Sequence, residues 1–483
     1  MLLRPPTTSV GQRRDTKRRA LRWGWAWLLA AALPAQAADL IDAWRAAQQH
    51  DLDVVAAREA HRAGQTRRDQ ASGLWRPSLH LSAAAGYMTQ DTETHGARFQ
   101  APGFGRSDEV DFTTSVHGGR STGWALTARQ ALINRERDAQ SRQLELAAQA
   151  ADHEWQTAQQ DLILRVAERY FDVALAAESL RLLHAQQSAV AKAAAEARER
   201  FEQGSLPITD VHETTARAEA IKAQVLAGTT ELQLKQSALA DMTGWHAEVG
   251  PLALPFEALP SEPLAGLDQC LAAGEAGNPA LALQATAAAS AREEAAKFSA
   301  RAAPTLDLVA RLGDERLSGD GDFGASRNLS RSRSIGLQLN VPLWTGGVRG
   351  AREQEALHLS EKAATQAART RQQVALQIRT AWLGLTTGAG RLAALDEALT
   401  ASQARLEATR LGHQVGDRTT LELLNAENDA ASAALMLAEG RVALLLNRLR
   451  LASLTGQLGE EQLRAINATL RPPDPAPETP ARP

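Results

Sequence analysis

The sequence predicts a mainly α protein with a membrane β portion: long antiparallel coiled-coil helices that carry four strands. Three observations predict it. Residues 134–203 contain neither Gly nor Pro, and a single helix of that length runs roughly 105 Å at 1.5 Å per residue, which no globular core accommodates. Four segments alternate apolar and polar residues with period two over about ten positions, the length and pattern of a strand that crosses a bilayer. The chain also repeats itself once. Composition agrees: of 483 residues, 44% are hydrophobic and 23% charged, which excludes a disordered chain and a multi-span helical membrane protein. Aromatics at 4% argue against a large aromatic-girdled barrel and a base-stacking nucleic-acid binder. A lone cysteine, Cys270, excludes an internal disulfide and any Cys-rich metal centre.

Residues 1–37 read as a secretory signal peptide. Arg13, Arg14, Lys17, Arg18, Arg19 and Arg22 form a basic n-region, Trp23–Leu33 an apolar stretch of 11 residues, and Ala35-Gln36-Ala37 an A-x-A cleavage site. The apolar stretch is too short for a membrane span. Cleavage leaves 46 basic and 55 acidic residues, a net of −9, so binding of DNA or an anionic lipid surface by overall charge is not expected. No Cys stands directly after the cleavage site, so a lipoprotein is not expected.

The first repeat, 38–244, reads helix (39–74), strands 77–90 and 121–132, long helix 134–203, tip 204–210 and return helix 207–244. The second, 264–470, reads helix (266–302), strands 304–312 and 334–343, long helix 348–415, tip 416–422 and return helix 419–456. The pairing rests on AERYFDVALAAESL (from Ala167) against RTAWLGLTTGAGRL (from Arg379), FEQGSLPITDV (from Phe201) against HQVGDRTTLEL (from His413), and LADMTG (from Leu239) against LASLTG (from Leu451), all offset by 212 residues. RPSLHLSAA (from Arg76) pairs with APTLDLVAR (from Ala303) at offset 227. Leu144, Ala148, Ala151, Trp155, Leu162, Val166 and Val173 trace an Ala-rich heptad stripe along the first rod, a seam that suits close helix-to-helix walls. The glycines at 384, 388 and 390 suggest a bend in the second rod. The return helices cover half of each rod, and 39–74 and 266–302 have the length to cover the rest.

The strands place Leu79, Leu81, Trp124, Leu126, Leu306, Leu308, Ile335, Leu337 and Leu339 on one face, and His80, Thr127, Asp307, Arg311 and Gln338 on the other. Polar segments 89–120 and 313–333 read as loops. A soluble antiparallel sheet alternates identically. The membrane reading is preferred because little sequence surrounds each pair to cover an apolar face, and because four strands cannot close a barrel unless protomers combine. Residues 245–263 form a Pro-rich connector, and 471–483, with six prolines in 13 residues, a disordered tail.

Over 39–470 the chain resembles the TolC-type outer-membrane efflux family. The resemblance rests on the tips Arg200-x-x-x-Gly204 to Ile208-Thr209-Asp210-Val211 and Gly416-x-Arg418-Thr419 to Leu421-Glu422-Leu423, on the P-x-L-x-L strand starts at Pro77 and Pro304, and on V-P-L-W-x-G-G from Val341 to Gly347. It implies a homotrimer in which four strands per protomer form one 12-stranded β-barrel and the helices form a trimeric α-helical barrel through the periplasm. It also implies partners: outer-membrane lipid, a periplasmic adaptor, and an inner-membrane ABC exporter or proton-driven pump. No cofactor, metal or nucleic acid is implied.

The resemblance further places a periplasmic gate at Thr209, Asp210, His413 and Arg418, a pore constriction at Glu422 and Asn425, and adaptor-docking turns at Gly204, Ser205, Gly416 and Asp417. Family members often have an aromatic where His413 stands. His413 is read as a solvated histidine, with a pH-sensitive latch as the second reading. Three copies of Glu422 around an axis favour cations and raise one another's pKa, while a helix-start carboxylate is the plain alternative. Asn425 is uncharged, so a second acidic ring is missing and weaker cation selectivity is expected.

No P-loop, H-E-x-x-H or C-x-x-C motif is present, and the G-x-G-x-x-G string at Gly319–Gly324 precedes no helix. The chain is not expected to be an enzyme. The leading expectation is a passive exit duct for type I protein secretion, with small-molecule efflux through the same channel as an alternative and a soluble periplasmic adaptor as a second.

Overall fold

The computed structural model describes residues 39–103, 105–245, 252, 254–255, 265–298, 304–322 and 324–471. The expected signal peptide, most of the 245–263 connector and the tail beyond 471 lie outside the described residues.

In chain order the elements are α1 (Leu40–His50), α2 (Leu52–Gly73), β1 (Ser78–Ala101), β2 (Gly105–Ile133), α3 (Arg135–Glu202), α4 (Ile208–Thr243), β3 (Leu254–Pro255), α5 (Leu267–Gly277), α6 (Pro279–Phe298), β4 (Thr305–Gly321), β5 (Gly324–Asn340), α7 (Val348–Gln414), α8 (Thr420–Leu454), α9 (Glu460–Asn467) and β6 (Leu470–Arg471). The two rods are α3, with 68 residues, and α7, with 67, each about 100 Å long. Helix α3 starts where the Asn134 side chain accepts from the Arg137 N–H, an N-cap bond that satisfies one free donor of the first turn. Helix α7 runs unbroken through Gly384, Gly388 and Gly390. Pro207 is the N-cap residue of α4, one position before the first turn.

Each rod is covered in two halves. Near the tip, α4 packs on α3 and α8 on α7. Toward the sheet, α2 and α6 pack on α3, and α6 also packs on α7. The α2–α3 approach is close enough that a Cβ on Gly64 would lie 2.2 Å from the Ala151 Cβ, so only glycine fits there. The densest core lies halfway along α3. Leu162, Val166, Tyr170 and Phe171 pack there with Leu40 of α1, Leu239 of α4, Leu445 and Leu449 of α8, and Leu463 of α9. Described parts of the connector join this belt: Leu252 is buried in it, and β3 pairs with β6. Asn467 at the end of α9 bonds both the Asp39 carboxylate (3.0 Å) and the Leu40 N–H (3.1 Å), tying the chain's two described ends together.

The single helices expected over 39–74 and 266–302 are each broken into two. The breaks fall at Asp51 and Asn278, again 227 residues apart. Asp51 accepts from the Val54 N–H at 2.9 Å, and Asn278 from the N–H groups of Ala280 and Leu281 at 3.0 and 3.1 Å. Asp51, 5% exposed, also receives both terminal nitrogens of Arg165 on α3 at 3.0 and 3.2 Å, while the Asn278 amide donates to the Leu454 carbonyl at 3.0 Å. A side chain that caps the new helix and grips a neighbour wins over the helical propensity of the Ala-rich sequence around it. The α9 helix has no counterpart in the sequence reading either.

The strands are longer than the expected 77–90, 121–132, 304–312 and 334–343. Most of the segments read as polar loops is strand, so loops 89–120 and 313–333 are corrected to two long hairpins. Period-two hydrophobicity stops where both faces meet water, but the backbone ladder continues through Thr, Ser and charged residues. The four strands form one antiparallel sheet in the order β1-β2-β4-β5. Beyond the Gln90–Val116 pair the β1–β2 hairpin stands alone as a ribbon as far as Ala101–Gly105. The sheet has two open edges, β1 and β5, and its apolar face is bare: Leu79, Leu81, Ile335, Leu337 and Leu339 are 64–75% exposed. Among the described residues no helix is long and apolar enough to cross a membrane.

The Asx joints give a direct test. Asp51→Ala removes a cap and leaves Arg165 without its buried partner, and is expected to cost about 2 kcal/mol. Asp51→Asn, the residue the second repeat uses, is expected to cost less than half of that. Chemical denaturation followed by far-UV circular dichroism compares the two.

Candidate functional site

The two tips lie at the far ends of the rods from the sheet and close in the same way. After α3, the Gly204 N–H donates to the Phe201 carbonyl (2.8 Å) and the Ser205 N–H to the Arg200 carbonyl (2.9 Å). After α7, the Gly416 N–H donates to His413 (3.1 Å) and the Asp417 N–H to Gly412 (2.8 Å). Both turns require a left-handed residue, with φ +75° at Gly204 and +85° at Gly416, where a Cβ is strained. Ser205 and Asp417 are exposed at the apices.

The expected gate residues make local bonds within one protomer. The Thr209 hydroxyl donates to the Asp210 carboxylate at 3.3 Å. The His413 Nε2 lies 3.2 Å from the Thr420 hydroxyl. Arg418 donates to Glu422 Oε1 at 2.9 Å. Among the described residues no hydrogen bond or ion pair joins Thr209 or Asp210 to His413 or Arg418. The two hairpins are instead bridged along α8, by Arg217 of α4 donating to Asn425 Oδ1 (3.0 Å) and by Gln186 of α3 donating to Asn428 Oδ1 (3.0 Å). Sequence reasoning missed both bridges, because each joins residues more than 200 positions apart with nothing local to mark them.

Glu422 closes a capping box. Its carboxylate accepts from the Thr419 N–H (2.8 Å) and hydroxyl (3.1 Å), while its own N–H donates to that hydroxyl (3.2 Å). The Thr419-x-x-Glu422 spacing before an apolar run is a readable signature of this motif. These bonds, led by the Thr419 N–H and followed by the Arg418 guanidinium, hold the Glu422 carboxyl below the usual glutamate range. Inside one protomer the shift is therefore opposite in direction to the mutual raising expected of a ring of three. Asn425 is exposed and is engaged by Arg217.

Two bundled helical hairpins bearing a four-stranded sheet with a bare apolar face and two open edges form a subunit built to meet a membrane rather than water. Comparison with known proteins agrees. The model of the family described as "Outer membrane efflux protein" matches residues 44–245 and 273–457, and the chain belongs to that family. It is 28% identical to the outer membrane protein TolC of Escherichia coli over 70% of this chain and 71% of that protein. It is 27% identical to the alkaline protease secretion protein AprF of Pseudomonas aeruginosa over 97% of this chain and 94% of that protein. The solved outer membrane protein VceC from Vibrio cholerae superposes with a TM-score of 0.66 at 19% identity, covering 86% of this chain and 96% of that one. The chain is thus an outer-membrane transport protein and not an enzyme, which sets aside the soluble adaptor reading.

The capping box has a pH signature. A depressed carboxylate pKa contributes stability that is fully present above the unfolded value and is lost as pH falls through the folded value. Amides at the start of α8 are expected to exchange hydrogen more slowly in the natural chain than in Glu422→Gln at pH 7, and the difference is expected to vanish as the medium is acidified below the glutamate range.

Proposed function

We propose that three copies of this chain form an exit duct serving type I protein secretion. In this reading β5 of each copy pairs with β1 of the next, giving a 12-stranded barrel without open edges, and the rods form a hollow helical barrel through the periplasm. The alignment with AprF over 97% of the chain carries the choice of cargo. PrtF of Dickeya chrysanthemi, described as a proteases secretion protein, also aligns over 90% of the chain at 27% identity, whereas TolC aligns over 70%. Small-molecule efflux through the same duct is the second reading, supported by the match to the outer membrane efflux protein BepC of Brucella suis at 23% identity.

The duct is passive. Energy comes from an inner-membrane pump, an ABC exporter in the secretion reading and a proton-driven pump in the efflux one. A periplasmic adaptor docks on the turns at Gly204, Ser205, Gly416 and Asp417. Thr209, Asp210, His413 and Arg418 hold the entrance shut between neighbouring copies, and Glu422 biases the constriction toward cations. Asn425, engaged by Arg217, adds no charge of its own.

Deleting the gene is expected to abolish appearance of a secreted protein in the medium while drug susceptibility stays unchanged, and the reverse pattern assigns small-molecule efflux. Gly204→Val and Gly416→Val place a β-branched residue at positive φ, at a local cost of about 1–2 kcal/mol. Each is expected to lower export several-fold with the trimer intact, as read by secretion assay and native gel.

A further inference from the structure

Residues paired directly across an antiparallel sheet point to the same face, so the register sorts every strand residue. The bare apolar face carries Leu79 and Leu81 of β1, Leu126 and Ala128 of β2, Ala310 and Leu312 of β4, and Ile335 of β5, linked pair by pair. Following the same face toward the hairpin ends, away from the helices, the register places Arg333 opposite Leu312, Arg331 opposite Asp314, Arg316 opposite Leu329, and both Arg120 and Arg327 opposite Ser318. No register shift interrupts β4–β5 or the stretch of β2–β4 that holds these pairs. Five arginines therefore lie on the outward face immediately above the apolar band.

They are set out for a ligand outside the chain. Asp314, whose side chain is 18% exposed, lies 3.5 Å from the Nε of both Arg316 and Arg331, leaving those guanidinia 69% and 68% exposed. Arg120, Arg327 and Arg333 are exposed and have no acid partner among the described residues. Asp314 is one carboxylate among five arginines, so the band is basic although the chain as a whole is acidic.

We propose that this band binds the phosphate groups of anionic lipid headgroups in the outer leaflet of the membrane around the barrel. The inference rests on the barrel reading above, in which the apolar face meets hydrocarbon and the hairpin ends face outward. Planar guanidinia bind phosphate oxygens in pairs, and the level just above an apolar band is where headgroups lie. A joint between copies is the competing use of such charges. Arg120 and Arg316 argue against it, because they sit on β2 and β4, the interior strands, which no neighbouring copy reaches by edge pairing.

The test is thermal unfolding of the purified full-length protein in detergent, titrated with bis-phosphorylated lipid A or with the same lipid stripped of phosphate. The phosphorylated lipid is expected to raise Tm by about 4 °C more than the stripped one, an excess that shrinks with added salt. Arg316→Gln/Arg331→Gln/Arg333→Gln is expected to abolish the excess, and Arg311→Gln, on the opposite face, to retain it. Should the triple variant not fold, Arg333→Gln and Arg120→Gln, which disturb no ion pair among the described residues, are each expected to lose part of the excess. Equal excess in the natural chain and the variants, or none in the natural chain, overturns the proposal. A Tm lowered equally in both lipids assigns the arginines to the joint between copies and also overturns it. A protein that stays soluble without detergent and responds to neither lipid contradicts the barrel itself.

Discussion

One length mismatch governs the body of this protein. Helix α3 runs 68 residues, while α4, which returns from its tip, runs 36. A rod that long, with an Ala-rich seam, gains little from packing along half its length. The other half needs a second partner entering from the opposite end, and the place where the two partners meet must be sealed. Asp51 and Asn278 sit at those seals. Each ends one helix, caps the next and bonds a neighbouring element, Arg165 in the first repeat and the Leu454 carbonyl in the second. The large side chains of the main core, Tyr170, Phe171 and Leu445 among them, gather at this level. The walls above and below are thin, so side-chain mass is spent at the belt.

The same economy explains the sheet. A chain that commits its helices to covering rods has none left to cover strands, and β1, β2, β4 and β5 keep a bare apolar face and two open edges. In water such a sheet would aggregate. In a membrane, with edges closed by further copies, both problems disappear together. The sequence-level aromatic scarcity fits this: only a short band per chain needs to meet lipid.

Much of this was legible beforehand. The 212-residue offset located both rods, both tips and both return helices, because glycines at tips and T-G ends punctuate otherwise uniform helix. The 227-residue offset located the strand starts. It also contains the Asp51–Asn278 pair, which the sequence alone does not mark, because one polar residue in an Ala-rich helical pattern carries no periodic signal. Strand lengths were underestimated for a related reason: alternation marks the part of a strand with one apolar face, and the hairpins continue past it as polar ribbon. At the tips, the turn glycines and the Thr419-x-x-Glu422 box are local and readable. The Arg217–Asn425 bridge is a product of how two hairpins far apart in sequence lie against each other.

What unites these features is incompleteness. Rods with an Ala-rich seam, a sheet with two free edges and tip residues whose bonds stay within one protomer are the features that the proposed trimer would complete. The mass of the detergent-solubilised, processed protein tests this most directly. Light scattering corrected for bound detergent should return three copies of the chain at all concentrations down to the detection limit. A stable monomer or dimer with the sheet intact would contradict the account.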